Sequence, residues 1–471
     1  MIHKLADLAI LGGKLVLPDG VRHGAVTIRD GLIDRIVCHP DQPPMARTIR
    51  DVGGAYVLPG LMDSHVHFRS PGFTHKETWS SGSRAAAAGG VTTVIDMPNV
   101  IPHFADIRDL PGRIENVAGH SLVDFTFHLG VTPESIDALG GVDPSLVPSV
   151  KVFLAGHHTA RHIIHEDSDL DRLFRVAART GLILTLHAED QATLDRLTSA
   201  RGEPRTLGEH EQIYARAAAL VSILRLMRLV ERYGTRVHIL HVSSAEEVEL
   251  LVSAATLGLP MTFEVTSHHL TFTTADERLG TLGKLRPALR TRRDRERLWQ
   301  AVLEGTVATI GSDHAPHTRA EKSVPFADAP PGFPGVQELA PAFLAGLREV
   351  APQLGPDRHV QLLAQLASEM PAKLFGLSDR KGTLIAGRPA DIVVLSPNRP
   401  WHVIPQTIHA HCGWSSYEGR TLFGAPTLTI RNGHIVYERG HFGEPDGRWL
   451  HCHHGTVLDS KITISPAKEH S

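Results

Sequence analysis

The chain is poor in features that mark several large functional classes. Aromatic residues make up only 5%, and 48 Lys+Arg stand against 51 Asp+Glu, for a formal net charge of -3. With neither a basic surplus nor aromatic stacking platforms, no nucleic-acid partner and no anionic membrane surface is expected. Cysteines number three, Cys38, Cys412 and Cys452. An odd count at wide spacing excludes a disulfide framework and a CxxC zinc site. Cys412 in HAHCGW and Cys452 in LHCHHG sit beside histidines, where a structural or tail role is expected before metal binding. No apolar run approaches a membrane span. The opening MIHKLADLAILGGKLVLPDG shows no cationic leader followed by an unbroken apolar stretch, so a cytoplasmic location is expected.

What is present is a large core and many histidines. Hydrophobic residues make up 42% of 471 and charged residues 21%, with 31 histidines. That length suits one α/β barrel with additions. In AVTIRDGLIDRIV, Asp30-Gly31 separates two apolar runs, a strong hairpin signal, and TLTIRNGHIVYERG repeats it with Asn432-Gly433. The β-rich ends, 1–57 and 377–440, are expected to pair into one small β-sandwich domain. The polar, Gly/His-rich stretch 441–471 is expected to be a partly disordered tail.

Between the ends, 58–376 alternates apolar runs with helical stretches. AYVLPGLMDSHVH, VTTVIDM, LVDFTFHLG, VKVFL, LILTLH, VHILHV, MTFEV and VATIGSD are eight candidate strands. Helical segments such as ETWSSGSRAAAAGG and HEQIYARAAALVSILRLMRLVERYG separate most of them. Eight such units favour a TIM-like (β/α)8 barrel over an open sheet, which makes the chain an α/β protein.

In such a barrel, chemistry sits where strands run out into loops. His65 and His67 end the first run, in GLMDSHVHFRSPG. Asn99 follows the second in DMPN, and Lys151 lies in the fourth. His187 ends the fifth in LTLHAED, His241 the sixth in ILHVSS, and Asp313 the eighth in GSDHAPH. On an extended strand, Asp63, His65, His67 and Arg69 share a face, and burying that set demands a partner. Singly, an HxH pair, a strand-end histidine or a lysine has an ordinary reading as a hydrogen-bonded or solvated residue. Together at successive strand ends they form a metal-site constellation.

Neutral imidazoles suit zinc, with an oxygen donor to complete the site. A lysine beside cations would be repelled, but as a carbamate formed with carbon dioxide it is anionic and can bridge two metals. Two metals about 3.5–4 Å apart can share a hydroxide and polarise a carbonyl. Asp313 is then placed to relay a proton to a leaving nitrogen.

These motifs resemble the dihydroorotase family, in the cyclic-amide-hydrolysing branch of the amidohydrolase superfamily. The similarity runs through PGLMDSHVHFRSPGFTHKETWSSGSRAAAAGGVTTVIDMPN, SVKVFL, LHAED, ILHVSS, FEVTSHHLTF, KLRPALR, SDHAPHTRAEK, PPGFPGVQELAPAFL and GWSSYEGRTLFG in order. The resemblance implies two divalent metal ions, zinc first, with His65 and His67 on the more buried one. It implies a bridging carboxylated Lys151, His187 and His241 on the second metal, and Asp313 as ligand and proton shuttle. Arg69 and Asn99 would hold a substrate carboxylate, a planar group that Arg grips in bidentate fashion. An ion pair of Arg69 with Glu77 is the plainer alternative. Arg286 and His317 would add substrate contacts, and Pro331 and Gly332 would cradle the ring. Glu264 would stand behind the ligands or hold an extra metal. The implied reaction is reversible conversion of dihydroorotate to N-carbamoyl-L-aspartate in pyrimidine biosynthesis, by a small-molecule hydrolase that is usually a homodimer.

The chain departs from that pattern at three places. Ser70 stands where the family usually has Glu, and Ser267 where Pro is common. His157 and His158 stand where the family's mobile loop usually closes over substrate with Thr and an apolar residue, which suits either a different substrate or ordinary solvated histidines. Allantoinase- or hydantoinase-type ureide hydrolysis is therefore a competing expectation, though MPN and THKE favour dihydroorotase. An inactive scaffold for a transcarbamoylase is a third, disfavoured because every ligand is present.

Overall fold

The computed structural model describes residues 5–40, 43–156 and 162–454. His157 and His158 of the expected lid, and 455–471 of the expected tail, lie outside the described residues.

All eight central runs are strands: Leu61–Val66 (β1), Val91–Asp96 (β2), Asp124–Phe127 (β3), Val150–Phe153 (β4), Leu184–His187 (β5), Val237–Ile239 (β6), Met261–Thr266 (β7) and Thr309–Gly311 (β8). Neighbours run parallel from β1 to β3 and from β4 to β8. The two-residue strand Leu129–Gly130 continues from β3 to pair with β4. Ser312 N donates to Asp63 Oδ1 at 3.2 Å, and a parallel bridge joins Val66 to His314, so the last strand meets the first. Nearly every strand residue is buried, as expected where helices cover the outside of a parallel sheet. This is the (β/α)8 barrel the alternation predicts.

Local chemistry sets the helix limits. Ser244 and Glu247 form a reciprocal cap at the start of Ala245–Thr256, and Gly234 at φ +69 ends Arg216–Tyr233. The long helical run around Tyr214 is split, with Leu207–Ile213 ending before Arg216–Tyr233 begins. At the break, Tyr214 O accepts from Arg290 Nη1 at 2.6 Å and the Tyr214 ring lies 4.5 Å from the Arg286 guanidinium. Tertiary contacts override the helical pattern there.

Both chain ends enter one nine-stranded sheet, in which Tyr56–Pro59 pairs antiparallel with Ile392–Leu395. The two hairpin turns have left-handed backbone at both central residues, Asp30 and Gly31 (φ 51 and 79) and Asn432 and Gly433 (φ 47 and 80). A buried charge cluster joins sheet to barrel: Lys381 Nζ lies 2.7 Å from Asp124 Oδ2, and Arg431 Nη1 lies 3.0 Å from Asp124 Oδ1. The stretch 447–453 runs beside β3, with Leu450 N donating to Phe125 O at 2.9 Å and Cys452 N to Ser145 O at 2.8 Å. Only glycine fits at 447, because a Cβ there would sit 2.1 Å from Val123 O. Leu450 and Cys452 join Phe375 and Ile183 in the apolar plug at the end of the barrel away from the strand-end histidines.

Candidate active site

A cavity opens at the strand ends, lined by His65, His67, Arg69, Asn99, Lys151, His187, His241, Arg286, Asp313, Pro331 and Gly332, together with Phe153 and Ala315. Eleven of the twelve site residues read from the sequence therefore surround one space. His317 is the exception: it is buried behind the wall, with Nε2 donating to Pro331 O at 3.2 Å and Nδ1 accepting from Lys76 Nζ at 3.1 Å.

The first donor group is His65, His67 and Asp313, whose nearest ligand atoms all lie within 4.8 Å of one another. Both Nε2 atoms stand 3.2 Å from Asp313 Oδ1. The second is His187 and His241, whose Nδ1 and Nε2 face each other at 3.0 Å. Lys151 comes from the middle of β4, with its amine over the Phe153 ring at 4.6 Å. Burial holds His65 down at about 3 and His67, His187 and His241 below their ordinary value, so all four are neutral and offer lone pairs. Burial likewise brings the Lys151 amine down to about 7. This donor set, neutral imidazoles with one carboxylate and one readily deprotonated amine, fits divalent metal ions of the zinc type.

Partners behind these imidazoles aim them. His65 Nδ1 lies 2.7 Å from Glu264 Oε1, His67 Nδ1 lies 2.7 Å from Asn99 Oδ1, and His187 Nε2 lies 2.8 Å from Glu189 Oε2. Each contact leaves the other ring nitrogen for the cavity, the arrangement by which outer partners fix a ligand's tautomer. Burial, with Asp313 nearby, pushes the Glu264 carboxyl up to about 8, and a cation on His65 would draw it back toward the anion. For Glu189 burial acts upward, but Arg286 and His187 bring it down to about 2.

Three cavity residues, Arg69, His241 and Asp313, have left-handed backbone at φ 59, 40 and 43. Such strain in non-glycine residues persists where the surroundings over-determine it, and it clusters at functional sites. The regular strand ends at Val66, and the turn at Arg69 carries its guanidinium into the cavity. Arg69 is buried, and its Nε and Nη1 have no hydrogen-bond partner among the described residues. Glu77 is turned instead to Ser81, His314 and the backbone of His411.

Arg286 lines the opposite side. Its Nη1 donates to Gly156 O at 2.7 Å and its Nη2 to Glu189 Oε2 at 3.1 Å. Glu189, which lies inside the LHAED motif, had one sequence signal: an acid two residues beyond a strand-end histidine.

The chain is similar to known proteins over most of its length. The amidohydrolase family matches residues 56–436. Dihydroorotase of Halobacterium salinarum is 37% identical over 395 residues, covering 83% of this chain and 89% of that protein. Allantoinase of Streptomyces avermitilis is 32% identical over 446 residues, covering 94% and 98%. L-hydantoinase (dihydropyrimidinase) from Arthrobacter aurescens superposes with a TM-score of 0.89 at 26% identity, over 95% of this chain and 100% of that one. The chain belongs to the amidohydrolase family. Within it, this is a dihydroorotase-like cyclic amidohydrolase, from a family that is typically metal-dependent.

Proposed function

We propose that the chain catalyses the reversible hydrolysis of dihydroorotate to N-carbamoyl-L-aspartate, a step of pyrimidine biosynthesis. The observation that carries this reading is the buried Arg69, with two nitrogens that have no partner among the described residues, at the cavity beside Asn99. A desolvated guanidinium with spare donors calls for a planar anion, and the dihydroorotate carboxylate is one. Neither allantoin nor a simple hydantoin carries such a group.

His65 and His67, with Asp313, would hold one divalent ion, and His187 and His241 the other. Lys151 as its carbamate would bridge them, with zinc as the ion the imidazole set suits best. Bound there, the metals supply Lewis acidity and lower the pKa of water. The protein's own groups do the rest. Arg69 and Asn99 fix the carboxylate, and Pro331 and Gly332 seat the ring. Asp313 takes the proton from the attacking water and hands it to the departing ring nitrogen. A cytoplasmic homodimer belongs to the same reading.

Allantoinase-type hydrolysis is the second reading, favoured by relatives such as that of Streptomyces avermitilis that match over 94% of this chain. An inactive scaffold is disfavoured, because all six ligand candidates surround one cavity. Loss of ring-amide ultraviolet absorbance decides between the rings, with metal-loaded protein offered dihydroorotate, allantoin and hydantoins. The expected result is a kcat/KM for dihydroorotate at least about 100-fold above the others, since a site built around a polar group rejects analogues that lack it. A preference for allantoin or a hydantoin would overturn the proposal.

A further inference from the structure

The wall that carries Pro331 and Gly332 is not a regular element. Residues 325–332, PFADAPPG, form turns and irregular chain, and three of the eight are prolines that supply no N–H. Such a segment cannot hold itself by a backbone ladder, yet a cavity wall has to keep its place.

Two lysine amines hold it, beside a backbone hydrogen bond from Gly332 N to Lys284 O at 2.9 Å. Lys322 Nζ donates to Pro330 O at 2.8 Å, to Gly332 O at 3.0 Å and to Lys284 O at 3.3 Å. Lys284 Nζ donates to Phe326 O and Ala327 O, both at 2.7 Å. Lys322 is 1% exposed, and its three donors match three carbonyls. A lysine buried this fully is rare in proteins. From the other side, His317 Nε2 grips Pro331 O, and Lys76 Nζ lies 3.1 Å from His317 Nδ1 and 3.0 Å from Glu321 Oε1. The wall is seated without slack: a Cβ on Gly332 would lie 2.7 Å from Ala315 O and 3.3 Å from His317 Nε2.

We propose that Lys322 is a positioning residue for substrate binding, its buried amine setting the shape of the slot formed by Pro331 and Gly332. Lys322 does not itself line the cavity and acts through the carbonyls of Pro330 and Gly332 that it holds. The claim rests on the reading of that slot as a seat for a cyclic amide, whichever ring that is. Lys322 stands away from the metal ligands, so its loss should weaken ring binding and spare the chemical step.

The test uses the full-length, metal-loaded protein with Lys322→Met and, separately, Lys284→Met. Kinetics are read with whichever ring of the panel the wild type opens, beside zinc content and backbone hydrogen exchange over 325–336. Lys322→Met is expected to raise KM at least about tenfold while kcat stays within about threefold, the pattern of lost uniform binding. Zinc content should equal that of the wild type, with faster exchange confined to 325–336. A KM within about twofold of wild type, or a fall in kcat that tracks lost zinc, overturns the proposal. If Lys322→Met does not fold, Lys284→Met decides on the same criteria. A wild type that opens no ring contradicts the proposed function instead, and the exchange result then decides the positioning claim: unchanged exchange over 325–336 refutes it.

Discussion

Glu264 Oε1 lies 2.7 Å from His65 Nδ1, although the two residues are 199 apart in sequence and stand on opposite sides of the seam where the barrel closes. One strand thereby aims the imidazole of another. Glu264→Ala should lower zinc affinity about 10–100-fold, the usual effect of removing the partner behind a ligand histidine. Competition against a chromogenic chelator measures it, and unchanged affinity would mean that packing alone orients His65.

Asp313 carries the proton in this account. Asp313→Ala should lower kcat per bound zinc by at least about 10³-fold, inside the range for general acid–base catalysis, and should also weaken zinc on the His65 and His67 side. Steady-state rates beside elemental analysis check both halves. Unchanged turnover would eliminate the shuttle role.

Arg69 should matter only for substrates that carry an anion. Arg69→Gln is expected to lower kcat/KM for dihydroorotate about 100-fold, the scale for losing one partner of a buried charged pair. Any residual rate on neutral rings should stay within about threefold. Equal losses on charged and neutral rings would assign Arg69 a structural part.

As the proposed carbamate, Lys151 would make metal loading depend on pH and carbon dioxide. Only the free amine reacts with carbon dioxide, and burial brings this amine down to about 7 in the metal-free protein. At constant dissolved carbon dioxide, the initial rate of activation by zinc should be about tenfold faster at pH 8 than at pH 6, following the fraction of free amine. Activation that ignores both bicarbonate and pH would argue against the carbamate.

The plug beneath the site should bear much of the barrel's stability. Phe375 is fully buried, its ring 5.5 Å from that of His128 and 5.8 Å from that of His238. Phe375→Ala should destabilise the protein by about 3–5 kcal/mol, the range for emptying a core phenylalanine site. Denaturant unfolding monitored by tryptophan fluorescence reads the change.

The parts legible in sequence were those encoded locally. Most barrel strands are short, largely apolar runs with an ionisable residue at or just past the end, which is how His187, His241 and Asp313 could be read one by one. The hairpins at Asp30-Gly31 and Asn432-Gly433 carry their own turn chemistry. What escaped depends on contacts between distant segments. Nothing near Lys322 tells that its amine meets the carbonyls of Pro330 and Gly332. Nothing near His317 tells that Pro331 O draws its ring behind the wall. The break at Tyr214 is set by Arg290 and Arg286, both more than 70 residues away. Pairing of 447–453 with the barrel joins residues over 300 apart, which no local pattern records.

The most direct test of the central claim is an anomalous-scattering crystal structure of protein loaded with zinc in bicarbonate. The account predicts two peaks about 3.5–4 Å apart, one against His65 and His67 and one against His187 and His241, with added density on Lys151 between them. No peak at these nitrogens, or density for an unmodified Lys151 beside a loaded site, would contradict it.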